Sequence, residues 1–332
     1  MTTSKRDLTA RKRYAHLSRV ALYAAIVVAY LGLVYVANLS FGPQIGISDV
    51  PLTIAWNYGV LVVLGAIVWV LTRRVAQVRP PVSAAPRREG LFAALLLVLY
   101  TLIIIGFWWQ FAGHHPRGFA MLEPLVGQWF PGWPRSVLSR FANAAAGGVE
   151  TTLVVLAVVW WRTRAWPKSS WRLWGFDLSL LVALVAASAV LSVLRMQMQG
   201  NVFGIGLTLG SVLSSILPTS VWAVAAFGFQ LFVNGIQEEM FFRRYLLPVV
   251  QAFTGRWWVS LLVVSALFDA MHIPLLLYHY HSSAPWWEFL LASVFPLQPT
   301  GLLLGWIYLR SRNIWPVIVF HTFTTLWVFP FI

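Results

Sequence analysis

The sequence predicts an all-α fold, a polytopic membrane helix bundle of about nine transmembrane helices. Three observations predict it. Hydrophobic residues make up 59% of the 332 residues and charged residues only 10%, the balance of a chain whose main solvent is a bilayer. Apolar runs of about 20 residues, the length needed to cross the hydrocarbon core, recur along the whole chain. The basic residues behind the net charge of +14 gather in alternate connectors, as the positive-inside rule requires.

The first run, 17–39, follows Lys5, Arg6, Arg11, Lys12, Arg13 and Arg19. Its basic flank is like that of a signal peptide, but it is too long and lacks a small-residue cleavage site, so it is read as a retained anchor. The second run, 54–72, leads into a connector at 73–90 that holds Arg73, Arg74, Arg79, Arg87 and Arg88 among prolines and alanines, without apolar period. That composition predicts a cytoplasmic linker. After the third run, 91–112, the segment 113–139 carries Trp129, Phe130 and Trp133, rings suited to a loop at headgroup level. The fourth run, 140–161, contains Glu150 and is followed by Arg162, Arg164, Lys168 and Arg172. The fifth, 174–194, has Asp177 near its end, and the sixth, 217–240, is followed by Arg243, Arg244 and Arg256. The seventh is 257–278. The eighth, 287–309, precedes Arg310 and Arg312 and carries Gly301 and Gly305 at a spacing that permits close helix approach. The ninth is 314–332. Connectors on the other side hold few basic residues, which predicts a cytoplasmic N-terminus and an outer C-terminus. An integral, multi-pass protein of a bacterial inner membrane is the expected location.

Polar residues divide the chain. Spans before the basic stretch 162–172 concentrate none, whereas the later ones hold nearly all of them, so residues 1–169 are expected to be an accessory bundle of about four helices and 170–332 a working core of about five. No internal repeat is visible, which argues against a transporter built on paired halves. The basic residues lie between spans rather than on one amphipathic face, so no nucleic-acid partner is expected. Without cysteine there is no disulfide, thiol nucleophile or thiolate metal site. His114, His115, His279 and His281 fall in outer loops, where a solvated imidazole needs no further role.

Three apolar spans carry chemistry. The first element is Glu238-Glu239-Met240-Phe241-Phe242-Arg243; each ionised group at a bilayer centre costs about 2.5–3.5 kcal/mol, so these residues need a task. On a helix Glu239 and Arg243 share a face at i, i+4 with the acid first, the favourable order, and each offsets the other's desolvation. Glu239 is therefore read as structural. Glu238 is rotated about 100° from it, so it is expected to face a different neighbour and to be the better candidate for chemistry, as a general base. The second element is Phe268-Asp269-Ala270-Met271-His272. Phe268 and His272 share a face, and Asp269 either orients His272, pairs with Arg244 or lines water. The third is His321 with Thr325, again i, i+4, an imidazole and a hydroxyl on one stripe. At 1.5 Å per residue, Glu238, His272 and His321 stand about 24, 22 and 12 Å from the cytoplasmic ends of their helices, a spread that ordinary tilt can close.

These elements, in this order over 220–325, resemble the CPBP family of CAAX prenyl proteases and bacteriocin-processing enzymes, whose marks are EExxxR, FxxxH and a final histidine followed four residues later by asparagine or a related residue. The resemblance implies that Glu238 and His272 activate a water that attacks a peptide carbonyl. It also implies that His321 and Thr325 stabilise the oxyanion, with Glu239, Arg243, Phe268 and Asp269 in support. Thr325 departs from the usual asparagine, and a hydroxyl offers one donor where an amide offers two. No cofactor is expected. Two histidines and two glutamates leave zinc open, but no HExxH pair is present. The expected activity is that of a glutamate-type intramembrane endopeptidase acting on a membrane-associated protein or peptide, with the lipid bilayer as its other partner and the oligomeric state unspecified. The alternatives are a catalytically inactive scaffold or regulator of the same fold, and a proton-coupled transporter using Glu238 and Glu239 as a relay.

Overall fold

Every regular element among the described residues is helical. The structure, a computed structural model, describes residues 5–39, 49–73, 86–109, 135–164, 176–202, 228, 230–273, 286–296 and 299–328. The expected headgroup loop with Trp129, Phe130 and Trp133, most of the linker 73–90 and of the basic stretch 162–172, and His114, His115, His279 and His281 lie outside these residues. So do the side chains of Glu150, Asp177 and Thr325.

The first five helices are α1 (Lys5–Asn38), α2 (Val50–Thr72), α3 (Pro86–Trp109), α4 (Arg135–Thr163) and α5 (Phe176–Val202). Then come α6 (residues 231–254), α7 (Trp257–Ala270), α8 (Trp286–Val294), α9 (Thr300–Ser311) and α10 (Ile314–Val328). The described residues do not confirm the expected count of nine membrane-crossing helices. The single span expected at 287–309 is two short helices, because Pro296 and Pro299 lack the N–H that a continuous helix needs. Of the seventh span, α7 covers 14 residues, about 21 Å of helix, and residues 274–278 lie outside the described residues. Among the described residues one helix, α2, is by itself both long and apolar enough to cross a membrane. The outer faces of the N-terminal helices are nevertheless strongly apolar, with Val28, Val62, Leu91 and Trp160 each more than half exposed.

The centre of the bundle is α6. Its residues from 237 to 249 are all buried, and it packs against α3, α4, α7, α9 and α10. Gly255 ends it in the left-handed conformation (φ 67°), a cap that glycine takes without a Cβ penalty. The glycine spacing read from the sequence packs within the bundle: a Cβ at Gly301 would stand 3.1 Å from Ser265 Cβ, and one at Gly305 would overlap Leu261. That stripe brings α9 against α7. Polar contacts join the early helices to the late ones. Asn38 Nδ2 and Tyr58 OH donate to the carbonyls of Phe295 and Pro296, each at 2.9 Å, and Arg310 Nε donates to Thr72 Oγ1 at 3.0 Å.

Candidate active site

The site begins with an irregularity in α6. Gln237–Glu239 form one short α-helical stretch between two π-helical ones, Leu231–Ile236 and Met240–Leu246. A π-turn holds more residues than an α-turn, so it redirects the side chains that follow, and such segments are frequent at functional sites. Gly235 lets this helix approach α10. A Cβ there would overlap Thr322 Oγ1 and stand 3.1 Å from the Ile318 carbonyl oxygen, so only glycine allows the two backbones this close. The consequence is that His321, next to Thr322, reaches both glutamates.

Glu239 Oε1 accepts from Arg243 Nη1 at 3.0 Å and lies 2.8 Å from His321 Nδ1. The pairing expected from the i, i+4 spacing is therefore present, and it is buried: the Glu239 and Arg243 side chains are 0% and 1% exposed. Arg243 is held further by the Gly301 carbonyl, 3.3 Å from Nη2, and by the face of Phe268, 4.1 Å from its Cζ. Glu238 does not face a different neighbour, as its 100° offset led one to expect. Its Oε2 lies 3.8 Å from Nε2 of the same histidine, because the imidazole spans the two carboxylates with its two nitrogens. Glu238 Oε2 is buried and has no hydrogen-bond partner among the described residues. Two carboxylates here face one guanidinium, so the group is electroneutral when His321 carries both ring protons.

The second imidazole comes from the end of α7. His272 follows the last helical turn, its amide donating to the Asp269 carbonyl at 3.0 Å. Its Nδ1 lies 2.9 Å from the Phe268 carbonyl oxygen. A carbonyl can only accept, so this contact places the ring proton on Nδ1 and leaves the Nε2 lone pair available in the neutral ring. Phe268 stands between the two histidines, edge-on to His272 at 5.0 Å and to His321 at 5.7 Å between ring centroids. One aromatic ring thus contacts Arg243, His272 and His321 together. Asp269, given three options by the sequence, does not take Nδ1 of His272. Its Oδ2 is buried without a hydrogen-bond partner among the described residues, within electrostatic reach of Arg243 and of the Tyr30 and Tyr58 hydroxyls.

So the structure brings Glu238, Glu239, Arg243, Phe268, His272 and His321 into one buried region where α6, α7 and α10 meet. Thr325 is on α10, but its side chain lies outside the described residues. Sequence reasoning passed over Gln237. It adjoins the glutamates, and its polarity inside a run of apolar residues was the available signal. Among the described residues no group of three or more His, Asp or Glu side chains is arranged as a metal site.

Residues 219–327, about a third of the chain, match the family described as type II CAAX prenyl endopeptidase Rce1-like. This segment is an Rce1-like domain. It contains all three motif elements and agrees with the CPBP resemblance drawn from them. The family is one of proteases, which sets the activity class of the Rce1-like domain at that coarse level. Helices α1 to α5 lie outside the matched residues and pack directly against the domain. Neither the curated proteins nor the solved structures give a match to the chain.

Proposed function

We propose that this chain is an intramembrane endopeptidase that hydrolyses a peptide bond in a membrane-associated protein or peptide, with a lipidated C-terminal segment as its substrate class. The observation that carries this reading is the placing of Glu238. One of its oxygens is buried and unbonded among the described residues, 3.8 Å from His321 Nε2, while its neighbour Glu239 is committed to Arg243. Glu239 differs in that its Oε1 is held by Arg243 Nη1 at 3.0 Å, whereas its Oε2, like Glu238 Oε2, is a buried carboxylate oxygen without a hydrogen-bond partner among the described residues. An unsatisfied one costs about 1–3 kcal/mol or more, a cost that makes sense where a reacting group is to be received.

The chemistry follows from the donors and acceptors. Glu238 takes a proton from water, assisted by the Nε2 lone pair of His272, and the hydroxide attacks the scissile carbonyl carbon. General base catalysis of this kind contributes about 10²–10⁴-fold. The gap of 3.8 Å between Glu238 and His321 is too long for a direct hydrogen bond and suits a reacting oxygen held between them. His321, positioned through Nδ1 by Glu239, donates from Nε2 to the oxyanion, and Thr325 adds a hydroxyl. The proton held by Glu238 then passes to the leaving amine. Glu239 and Arg243 position; they do not touch the reacting atoms. These roles use carboxylate and imidazole alone, with no metal.

The membrane setting rests on the composition, on the exposed apolar faces of α1 to α4 and on the basic connectors, which orient the N-terminus to the cytoplasm. A comparison of membrane proteomes from cells carrying the wild-type chain and the Glu238→Gln variant tests the function. Fragments that vanish with the variant are the expected result. Identical fragments, with both forms complementing a deletion equally, would sink the protease and favour a scaffold.

A further inference from the structure

Helices α3 and α4 lie outside the Rce1-like domain, yet each sends a buried polar group to the residue next to Glu238. Gln237 Nε2 donates to Tyr100 OH at 2.9 Å, and Thr152 Oγ1 lies 3.1 Å from Gln237 Oε1. All three side chains are buried, Tyr100 3%, Thr152 0% and Gln237 3% exposed. The Tyr100 ring is stacked on Phe241 at 4.9 Å and edge-on to Phe242 at 6.1 Å, so it grips α6 on the turn after the glutamates as well as through Gln237. Tyr100 is also within electrostatic reach of Glu238 and Glu239.

The place of this contact matters. Gln237 begins the three-residue α-helical stretch that holds both glutamates, and π-helical turns lie on either side. Bonding in those turns runs i to i+5 rather than i to i+4, so the short stretch sits between two changes of helical register. A side-chain amide held at both ends, its N–H₂ by Tyr100 and its oxygen by Thr152, adds a constraint from outside the helix. The one Thr152 Oγ1 proton is shared among three acceptors, the Gly148 carbonyl of its own helix at 2.7 Å, Gln237 Oε1 at 3.1 Å and, at 3.3 Å, the Phe232 carbonyl in the first of the two π-helical turns.

We propose that Tyr100, Gln237 and Thr152 form a brace by which the N-terminal helices set the rotation of the Glu238-Glu239 turn, with Tyr100 and Thr152 as positioning residues outside the Rce1-like domain. The proposal rests on the protease reading for its effect on turnover, but not for its effect on α6. A single hydroxyl carries each end of the brace. Tyr100→Phe removes one while keeping the stack on Phe241, and Thr152→Val removes the other at nearly constant volume; Thr152→Ser keeps it.

The test uses the full chain in nanodiscs, with hydrogen–deuterium exchange across residues 231–246 and cleavage of a farnesylated CAAX peptide as separate readouts. Tyr100→Phe and Thr152→Val are expected to exchange at least tenfold faster over 231–246 with α9 unchanged. Their kcat should fall about tenfold at constant KM, and Thr152→Ser should restore both. Wild-type exchange over 231–246 in both variants overturns the brace, whatever the peptide does. If the wild type cleaves nothing, the protease reading fails, and exchange alone decides the brace. If Tyr100→Phe does not fold, exchange in Thr152→Val against Thr152→Ser decides it by the same criterion.

Discussion

His321 Nδ1 and Arg243 Nη1 meet at one oxygen: they lie 2.8 and 3.0 Å from Glu239 Oε1. One carboxylate thereby ties α10 to α6 and turns the other face of the imidazole toward Glu238. The division of labour between two adjacent glutamates follows from this sharing. Glu239 Oε1 has two close nitrogen neighbours, whereas Glu238 Oε2 has His321 Nε2 at the longer distance of 3.8 Å.

Removing Arg243 should cost stability first. Its partner is wholly buried, and breaking a buried pair leaves an uncompensated charge at a cost of about 3–5 kcal/mol. Arg243→Met is expected to lower the thermal unfolding midpoint sharply in detergent, with Arg243→Lys in between because a lysine cannot bridge Glu239 and the Gly301 carbonyl together. Unchanged midpoints in both variants would mean the pair is not an anchor.

His321→Ala should lose turnover, with a smaller loss of stability than removal of Arg243 because the Glu239–Arg243 pair stays in place. Loss of one oxyanion donor costs about 10²–10³ in kcat, and here the same change also frees Glu239 Oε1 of one neighbour. Steady-state kinetics on a farnesylated CAAX peptide should show the fall in kcat with KM little altered. A kcat within twofold of wild type would remove His321 from the reaction.

Gly235→Ala should push α6 from α10. The added methyl meets Thr322 Oγ1 and the Ile318 carbonyl, and overpacking of this kind costs about 1–3 kcal/mol. Thr322→Ala in the same chain should recover part of the loss, since it removes one of the two obstacles. Equal stability of wild type and Gly235→Ala, measured by thermal unfolding, would contradict the close approach.

Exhaustive dialysis against a chelator should leave peptide cleavage unchanged, because the proposed steps use carboxylate and imidazole only. Loss of cleavage that added zinc restores would overturn that chemistry.

Much of the site was legible because its parts are local. Glu239 and Arg243 at i, i+4, and Phe268 with His272 at the same spacing, are neighbours on any helix-like backbone, and both contacts are present. What joins these parts is not local. The meeting of Glu238 with His321 depends on Gly235 letting two helices approach, and neither the spacing within one helix nor its polarity reports that. Glu238 and Glu239 keep their offset within one α-helical stretch, but a single imidazole from α10 reaches both with its two nitrogens, which no reading of one helix reports. The break in the eighth span was written in the sequence as Pro296 and Pro299, but total apolarity outweighed two missing N–H groups in the reading of spans. Tyr100 and Thr152 gave no signal at all, since their role exists only in contact with a residue far along the chain.

The central claim is that Glu238 is the base that activates water. The most direct measurement is the cleavage rate of a farnesylated CAAX peptide by purified Glu238→Gln, an isosteric change, beside wild type in the same nanodiscs, with binding of the peptide followed in parallel. The account predicts binding within a few-fold of wild type and a kcat lower by about two orders of magnitude or more. Cleavage by Glu238→Gln at the wild-type rate would contradict it.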